Sequence, residues 1–449
     1  MDASQSRRLP TITRRRLLGA TLAATGWTLL QPLGREVVHA QAPPTRVLSN
    51  GLTVVVEQRP SADTVAMVIG ARVGSREDTD RPGTNAFTAR TMFQGTARWP
   101  SATALQRAAA LAGGTIDQSA SAEMSAFASV MPSQRAELGF QLLGSVVSEP
   151  LFEPAAIQRQ KLLAAQELDQ RTGSPGAILA DLFGSRMFDG HPLGMPGLGT
   201  PESLAALGPG NLTDHYSRYW VGANLTLAVA GRIAASEAMD MAQRYFGDIP
   251  AGLPNRRASQ RAGGPRTVTT VRHRMEGEQV GFRLGFLGPS RLEPDVYPLL
   301  VLSTMMNGFS GRLLPALRSE RGLVYDAAAS YLGYTDTGCW FVAGSVDPAN
   351  LAEALAVVWD EIDRARRLEA SPEEVARRVS QMAGEQVLAD ETNIAHAGRS
   401  VRQAILGIES AADLLRRIRG VTGSDVRRVA EAYLDPGRSL LVLVGPTPE

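Results

Sequence analysis

One cysteine, one lysine and five histidines stand among the 449 residues of this chain. A single thiol, Cys339, permits no disulfide framework, so stability has to come from packed cores. It lies in the alternating run Thr337-Gly338-Cys339-Trp340-Phe341-Val342. There it reads as a small buried strand residue and not as a nucleophile. Beyond His39 the histidines are His191, His215, His273 and His396, and no two are three or four residues apart. Neither His-x-x-Glu-His nor His-Glu-x-x-His occurs, so no helical histidine pair can chelate zinc. His191 stands alone in the loop Gly190-His191-Pro192-Leu193-Gly194, where a structural or solvated role is expected. There is no Gly-x-Ser-x-Gly elbow and no Gly-x-x-x-x-Gly-Lys phosphate loop. The formal charge of +1 lacks the basic excess of a nucleic-acid binder. Forty-four glycines and 27 prolines follow no short period, which excludes a collagen-like chain. Apolar residues make up 44%, enough for two domains of about 200 residues each.

No apolar run is long enough to span a bilayer. The one near the start, Leu17 to Leu30, follows Thr13-Arg14-Arg15-Arg16 and precedes the small-residue stretch Ala40-Gln41-Ala42. A charged region, a short apolar region and a small-residue end read as a cleavable export signal over residues 1–42. Its paired arginines resemble the twin-arginine type. The mature protein is then expected outside the bacterial cytoplasm, in the periplasm or beyond, with no integral membrane segment. Without residues 1–42, which carry six arginines and two acids, its net charge is about −3.

An internal repeat organises the rest. Asn211 to Tyr219 leads through a turn into Leu225-Thr-Leu-Ala-Val-Ala-Gly231, and Asp425 to Tyr433 leads into Ser439-Leu-Leu-Val-Leu-Val-Gly445, all offset by 214 residues. Asn211 and Asp425 read as helix N-caps in both copies. A period this long means two similar domains and not a solenoid. The Pro-, Gly- and Arg-rich stretch 250–266 reads as the linker between a domain at 43–249 and another at 267–449. Apolar alternation predicts strands near 52–57, 66–73, 115–120 and 125–131, then near 267–275, 279–287, 325–332 and 338–345. Helices are expected near 133–148, 154–172 and 175–188, then near 294–307, 311–319, 349–367, 372–389 and 410–418. Strands grouped apart from helices indicate an α+β fold, each domain an antiparallel sheet backed by helices.

Five motifs in order resemble the insulinase/pitrilysin family of zinc peptidases, which includes the mitochondrial processing peptidase. They are Leu48-Ser49-Asn50-Gly51-Leu52-Thr53-Val54, Gly74-Ser75-Arg76-Glu77, Met92-Phe93-Gln94-Gly95-Thr96, His191-Pro192-Leu193-Gly194 and Leu317-Arg318-Ser319-Glu320-Arg321-Gly322-Leu323-Val324-Tyr325. The resemblance covers about 45–445 and implies one half of a clamshell that encloses a peptide. It also locates what is lost. The family's His-x-x-Glu-His precedes the aromatic-x-Gly-Thr run, and here Ala86, Ala89 and Arg90 stand at those positions. The family's third ligand matches Glu167, with 76 residues between it and position 90. Glu167 alone cannot hold zinc, and Ala89 cannot act as a general base. No metal or other cofactor is therefore expected in this chain. Arg90 either pairs with Glu167 or points to solvent.

The family's second-half Arg and Tyr, seven residues apart, are kept as Arg318 and Tyr325, after the loop Gly308-Phe309-Ser310-Gly311. The resemblance implies that such a pair binds substrate backbone and a developing oxyanion over the zinc site. The expected function is a non-catalytic subunit of a two-chain metallopeptidase. Its partner would be a zinc-bearing family member to which it lends Arg318 and Tyr325, and its ligand a peptide. The alternative is a scaffold like the core subunits of the respiratory bc complex.

Overall fold

A computed structural model describes residues 43–78 and 80–446. The export segment expected at 1–42 lies outside the described residues. Among the described residues eleven strands form two sheets. The first holds β1 (Thr45–Val47), β2 (Thr53–Gln58), β3 (Thr64–Ala71), β4 (Thr115–Ala120), β5 (Ser125–Pro132) and β6 (Leu225–Gly231). The second holds β7 (Thr269–Arg274), β8 (Val280–Gly288), β9 (Val324–Gly333), β10 (Gly338–Val346) and β11 (Leu440–Gly445). The helices of the first half are α1 (Thr84–Met92), α2 (Ala102–Leu111), α3 (Ala136–Ser148), α4 (Pro154–Thr172), α5 (Pro175–Met187), α6 (Pro201–Ala206), α7 (Pro209–Tyr219) and α8 (Ala235–Phe246). Those of the second are α9 (Val296–Met306), α10 (Leu351–Arg367), α11 (Pro372–Ala389), α12 (Asn393–Leu406), α13 (Ala411–Arg419) and α14 (Gly423–Tyr433). The α+β class expected from the sequence is what the chain adopts.

The strand orders are β1-β2-β6-β3-β5-β4 and β7-β11-β8-β10-β9. Apart from β1 the two orders are the same, and each sheet has one parallel pair, β2 with β6 and β7 with β11. The 214-residue repeat is therefore a repeat of topology. Both copies end on a glycine with positive φ, 142° at Gly231 and 138° at Gly445. A Cβ there would stand 2.2 Å from the Thr64 carbonyl oxygen in one sheet and 2.5 Å from that of Gln279 in the other. Only glycine fits either site.

Among the differences from the sequence reading are a pair of caps and a helix. Asn211 and Asp425 are not N-caps but sit three residues further in. Each side chain accepts from the backbone N–H of the true cap, Gly208 at 2.9 Å and Thr422 at 3.0 Å. The helix expected over 311–319 is found over 313–319, and it is π-helical from Pro315 to Ser319.

The central strands β3 and β6 are buried along nearly their whole length. Continuous apolar runs of this kind are covered on both faces. One face of the first sheet packs on α3 and α8, for example through Phe140, Val147 and Phe246. The other face is covered by α12, whose Ala397, Val401 and Ile405 meet Ala66, Val68 and Ala228. In return α5 puts Leu179, Phe183 and Met187 on Leu440, Val442 and Val444 of the second sheet. Each half thus lends one helix to the other's core. Where these helices land, both sheets carry glycine. Gly70 pairs with Thr226 and Gly285 pairs with Leu440, so the strand partners are 214 residues apart and the glycines 215. A Cβ at Gly70 would lie 2.4 Å from Val401, and one at Gly285 would lie 2.5 Å from Phe183.

Candidate functional site

Ala86, Ala89 and Arg90, the positions that the resemblance assigns to the zinc motif, lie on α1. This helix has no side-chain N-cap. Asp78, in the preceding loop, supplies that function, and both its carboxylate oxygens accept from the Asn85 N–H, at 3.0 and 3.1 Å. Asn85 in turn accepts from the Ser125 hydroxyl at 3.0 Å, which fixes α1 against β5. Every α1 residue except Arg90 is buried, Ala86 and Ala89 included. Arg90 turns outward to α4, and its guanidinium meets the Glu167 carboxylate at 2.7 Å. The ion pair is the alternative the structure adopts. Beside Ala86 lies a cavity of about 290 Å³, lined in part by Asn85, Ala120, Ser121 and Leu168. It opens next to β4, whose outer edge is unpaired.

Zinc, the metal the family resemblance implies, does not fit these residues. Two methyl groups and a guanidinium stand where donors are needed, and Glu167 is already engaged by Arg90. Among the described residues no three His, Cys, Asp or Glu side chains are grouped to hold a metal ion.

Behind α1, Asp78 faces His215 of α7 across 3.9 Å. Burial pushes the Asp78 carboxyl up to about 8 despite the hydrogen bonds from the Asn85 backbone. Burial, with Arg218 nearby, pulls His215 down to about 4. Among the described residues neither ring nitrogen of His215 has a hydrogen-bond partner.

His191 and the Gly74–Glu77 motif serve a different purpose. Arg76 is buried and bonds Glu123 at 2.7 Å and Asp336 at 2.6 Å. Arg291 reaches the other oxygen of Glu123 at 2.7 Å. Arg257 of the 250–266 segment bonds Glu77 at 2.6 Å, and the Gln260 N–H donates to Asp336 at 3.1 Å. His191 is buried, with Nε2 2.8 Å from the Gln260 carbonyl oxygen. Burial opposes charge on Asp336, yet bonds from Arg76 and Gln260 hold its carboxyl below the usual range. This cluster ties loops of both halves to the segment between them, so His191 is structural. Cys339 is likewise a fully buried strand residue, its thiol pushed up to about 12 by burial.

Arg318 and Tyr325 come together in the second half. Arg318 leaves the π-helical turn and donates through Nη1 to the Tyr325 carbonyl oxygen at 3.0 Å. Its guanidinium carbon lies 4.8 Å from the Tyr325 ring centroid and 5.5 Å from that of Phe309. Both rings are open to solvent, Tyr325 at 74% and Phe309 at 71% exposure. The Tyr325 hydroxyl makes no hydrogen bond among the described residues. Phe309, read from the sequence only as part of a loop, is a contact of the pair. The signal for it was a large aromatic among Gly and Ser residues, where no core awaits it. No hydrogen bond or ion pair among the described residues joins Arg318 or Tyr325 to Arg90 or Glu167.

Two family models cover most of the described chain: Insulinase (Peptidase family M16) over residues 53–201 and Peptidase M16 inactive domain over 207–382. The chain belongs to the insulinase family. An uncharacterised zinc protease of Streptomyces coelicolor is 28% identical over 89% of this chain and 88% of its own. A probable mitochondrial-processing peptidase subunit beta of Arabidopsis thaliana is 24% identical over 90% of this chain and 79% of its own. Among solved structures, a peptidase M16 inactive domain from Pseudomonas fluorescens superimposes with a TM-score of 0.84 at 18% identity, covering 90% of this chain and 98% of that one. A chain of Complex III2 from Candida albicans does so with a TM-score of 0.77 at 17% identity, covering 90% and 96%. At such identities the likeness is one of fold. Helix α1 carries Ala86, Ala89 and Arg90, none of them a metal-ligating side chain, while half-buried Arg318 and exposed Tyr325 stand together in the second half.

Proposed function

We propose that this chain is the non-catalytic subunit of a two-chain insulinase-family metallopeptidase. The observation that carries the reading is a contrast within one molecule. At α1 an Arg90–Glu167 ion pair replaces a metal site. At the second sheet Arg318 and Tyr325 are held together with a solvent-facing guanidinium and a free hydroxyl. A pair without a metal site on its own chain has use at a partner's. Arg318 offers planar donors to a peptide backbone, and the Tyr325 hydroxyl can donate to an oxyanion as it develops. The open edge of β4 suits an extended peptide, which adds to a sheet through main-chain hydrogen bonds. The two chains would close as halves of a clamshell around that peptide.

The likeness to a chain of Complex III2 supports a second reading, a scaffold of the same fold. Co-expression with a zinc-bearing family member separates the two. The subunit reading expects a stable hetero-oligomer that cleaves peptides, with neither chain active alone. A partner fully active without this chain would favour the scaffold.

The reading includes export through residues 1–42. Among the described residues no helix is long and apolar enough to cross a membrane. Replacing Arg14 and Arg15 by Lys is expected to leave the precursor in the cytoplasm, as seen by cell fractionation, since such a signal is read by a receptor. Unchanged export would point to a different route.

A further inference from the structure

The 250–266 segment, the end of β3, the last turn of α12 and the β9–β10 loop surround a cavity of about 620 Å³. Arg72, Arg256 and Arg257 line it, and Asp336 is the one acid among its described lining residues. Asp336 is already taken, by two bonds from Arg76 and one from the Gln260 N–H. Arg257 is committed to Glu77. Arg72 is half-buried, and its guanidinium donates only to the Ala404 carbonyl oxygen of α12, at 3.2 Å. Burial, with Arg257 nearby, holds it below the usual arginine range. Arg256 is exposed, and its guanidinium makes no hydrogen bond or ion pair among the described residues. The cavity also has an apolar wall, with Ile405, Leu406 and the side chain of Leu292, which is 56% exposed.

The charges at this junction do not balance. Arg76, Arg257 and Arg291 engage Glu77, Glu123 and Asp336, so those carboxylates are used. Arg72 and Arg256 are left over, and the end of α12 offsets at most about half a charge. A half-buried cation without a counter-charge is costly unless something pairs with it. A cavity of this volume, with an apolar wall and a few charged donors, is the usual form of a small-molecule site. A carboxylate would bring one negative charge. A phosphate monoester brings about two, on oxygens that suit guanidinium donors. We propose that this cavity binds a small phosphate monoester with an apolar body, the phosphate on Arg72 and the body against the apolar wall. Its walls come from both halves and from the segment between them, so the ligand stabilises their union. None of Arg90, Glu167, Arg318 and Tyr325 lines it, so the site stands apart from the proposed subunit role.

Titration calorimetry of the purified chain with phenyl phosphate tests the proposal. Comparison ligands are benzoate, inorganic phosphate and phenol. Phenyl phosphate is expected to bind, with benzoate and inorganic phosphate each at least about tenfold weaker and phenol weaker still, since each lacks a charge or the apolar body. Arg72→Gln should weaken phenyl phosphate at least about tenfold, the scale of a hydrogen bond to a charged group. Arg256→Gln should weaken it by a smaller factor. Arg107→Gln, at an exposed α2 arginine with no ion pair among the described residues, is the control and should change nothing. Saturating phenyl phosphate should raise the melting temperature of the unaltered chain and of the control, but not of Arg72→Gln. Melts without ligand establish that the variants fold, and if Arg72→Gln does not, Arg256→Gln and the ligand series decide the matter. No binding of phenyl phosphate, equal binding of any comparison ligand, or unchanged affinity in the folded variants would overturn the proposal.

Discussion

Arg90 is the one α1 side chain that escapes burial, and the helix spends it on Glu167. Both partners are partly exposed, so the pair contributes on the order of 0–1 kcal/mol to stability. Its importance lies in what it displaces. The double variant Ala86→His, Arg90→His puts two imidazoles one turn apart and frees Glu167. Elemental analysis should then find about one zinc per chain, against none for the unaltered protein. A folded double variant without zinc would mean that Glu167 is not placed as a ligand. Asp78 gives a second prediction. Its folded pKa of about 8 lies above its unfolded value of 3.8, so the unfolded chain loses its proton first. Stability from this group is complete below pH 4 and falls as pH rises towards 8. His215 works the other way: depressed from 6.5 to about 4, it adds stability as pH rises between those values. The two oppose each other below pH 6.5, and above it only Asp78 acts. Asp78→Asn keeps an acceptor for the Asn85 N–H but cannot ionise. It should remove a loss of up to about 2 kcal/mol between pH 6.5 and 8, measured by urea unfolding at each pH. An unchanged slope would show that Asp78 ionises freely in the fold.

At the scale of elements, the exchange of α5 and α12 fixes how the halves are joined. Gly70→Ala and Gly285→Ala each place a methyl group against a side chain of the arriving helix. Each should cost about 1–3 kcal/mol by overpacking, read as a lower melting temperature. Gly210→Ala, with open space around its Cβ, is the control and should be neutral or mildly stabilising. If the first two melt like the control, the helices are not held tightly on the sheets. The strands at 115–120 and 125–131 and the helices at 154–172 and 372–389 were legible because alternation or a capped apolar period marks them. Helix α1 was not. Its sequence Thr84-Asn-Ala-Phe-Thr-Ala-Arg-Thr-Met92 is buried on nearly all sides, so it shows no amphipathic period. Thr88 and Thr91 satisfy their hydroxyls on the carbonyls of Thr84 and Phe87, a contact that pattern alone cannot reveal. Helix α12 was missed for a related reason, since its apolar face rests on the other half's sheet. Pairing of Arg90 with Glu167 was foreseeable as one of two outcomes. The stacking of Phe309 on Arg318 was not, because a Gly-rich loop leaves the direction of its aromatic open.

For the molecule as a whole, the buried cluster of Arg76, Glu123, Asp336 and Arg291 binds both halves to the segment between them. Removing one partner from such a cluster leaves an unpaired buried charge, which costs about 3–5 kcal/mol. A firm union of this kind holds the Arg318–Tyr325 surface in a fixed place relative to the rest of the chain. That is what a subunit serving another chain's active site requires. The decisive measurement is peptide turnover by the assembled complex carrying Tyr325→Phe, Arg318→Ala or both. Tyr325→Phe removes only a hydroxyl, so assembly should survive and turnover should fall about a hundredfold or more, the scale of one lost oxyanion donor. Arg318→Ala should lower turnover and weaken peptide binding as well. A complex that assembles and keeps full activity with both substitutions would contradict an active-site role for this chain and leave it a scaffold.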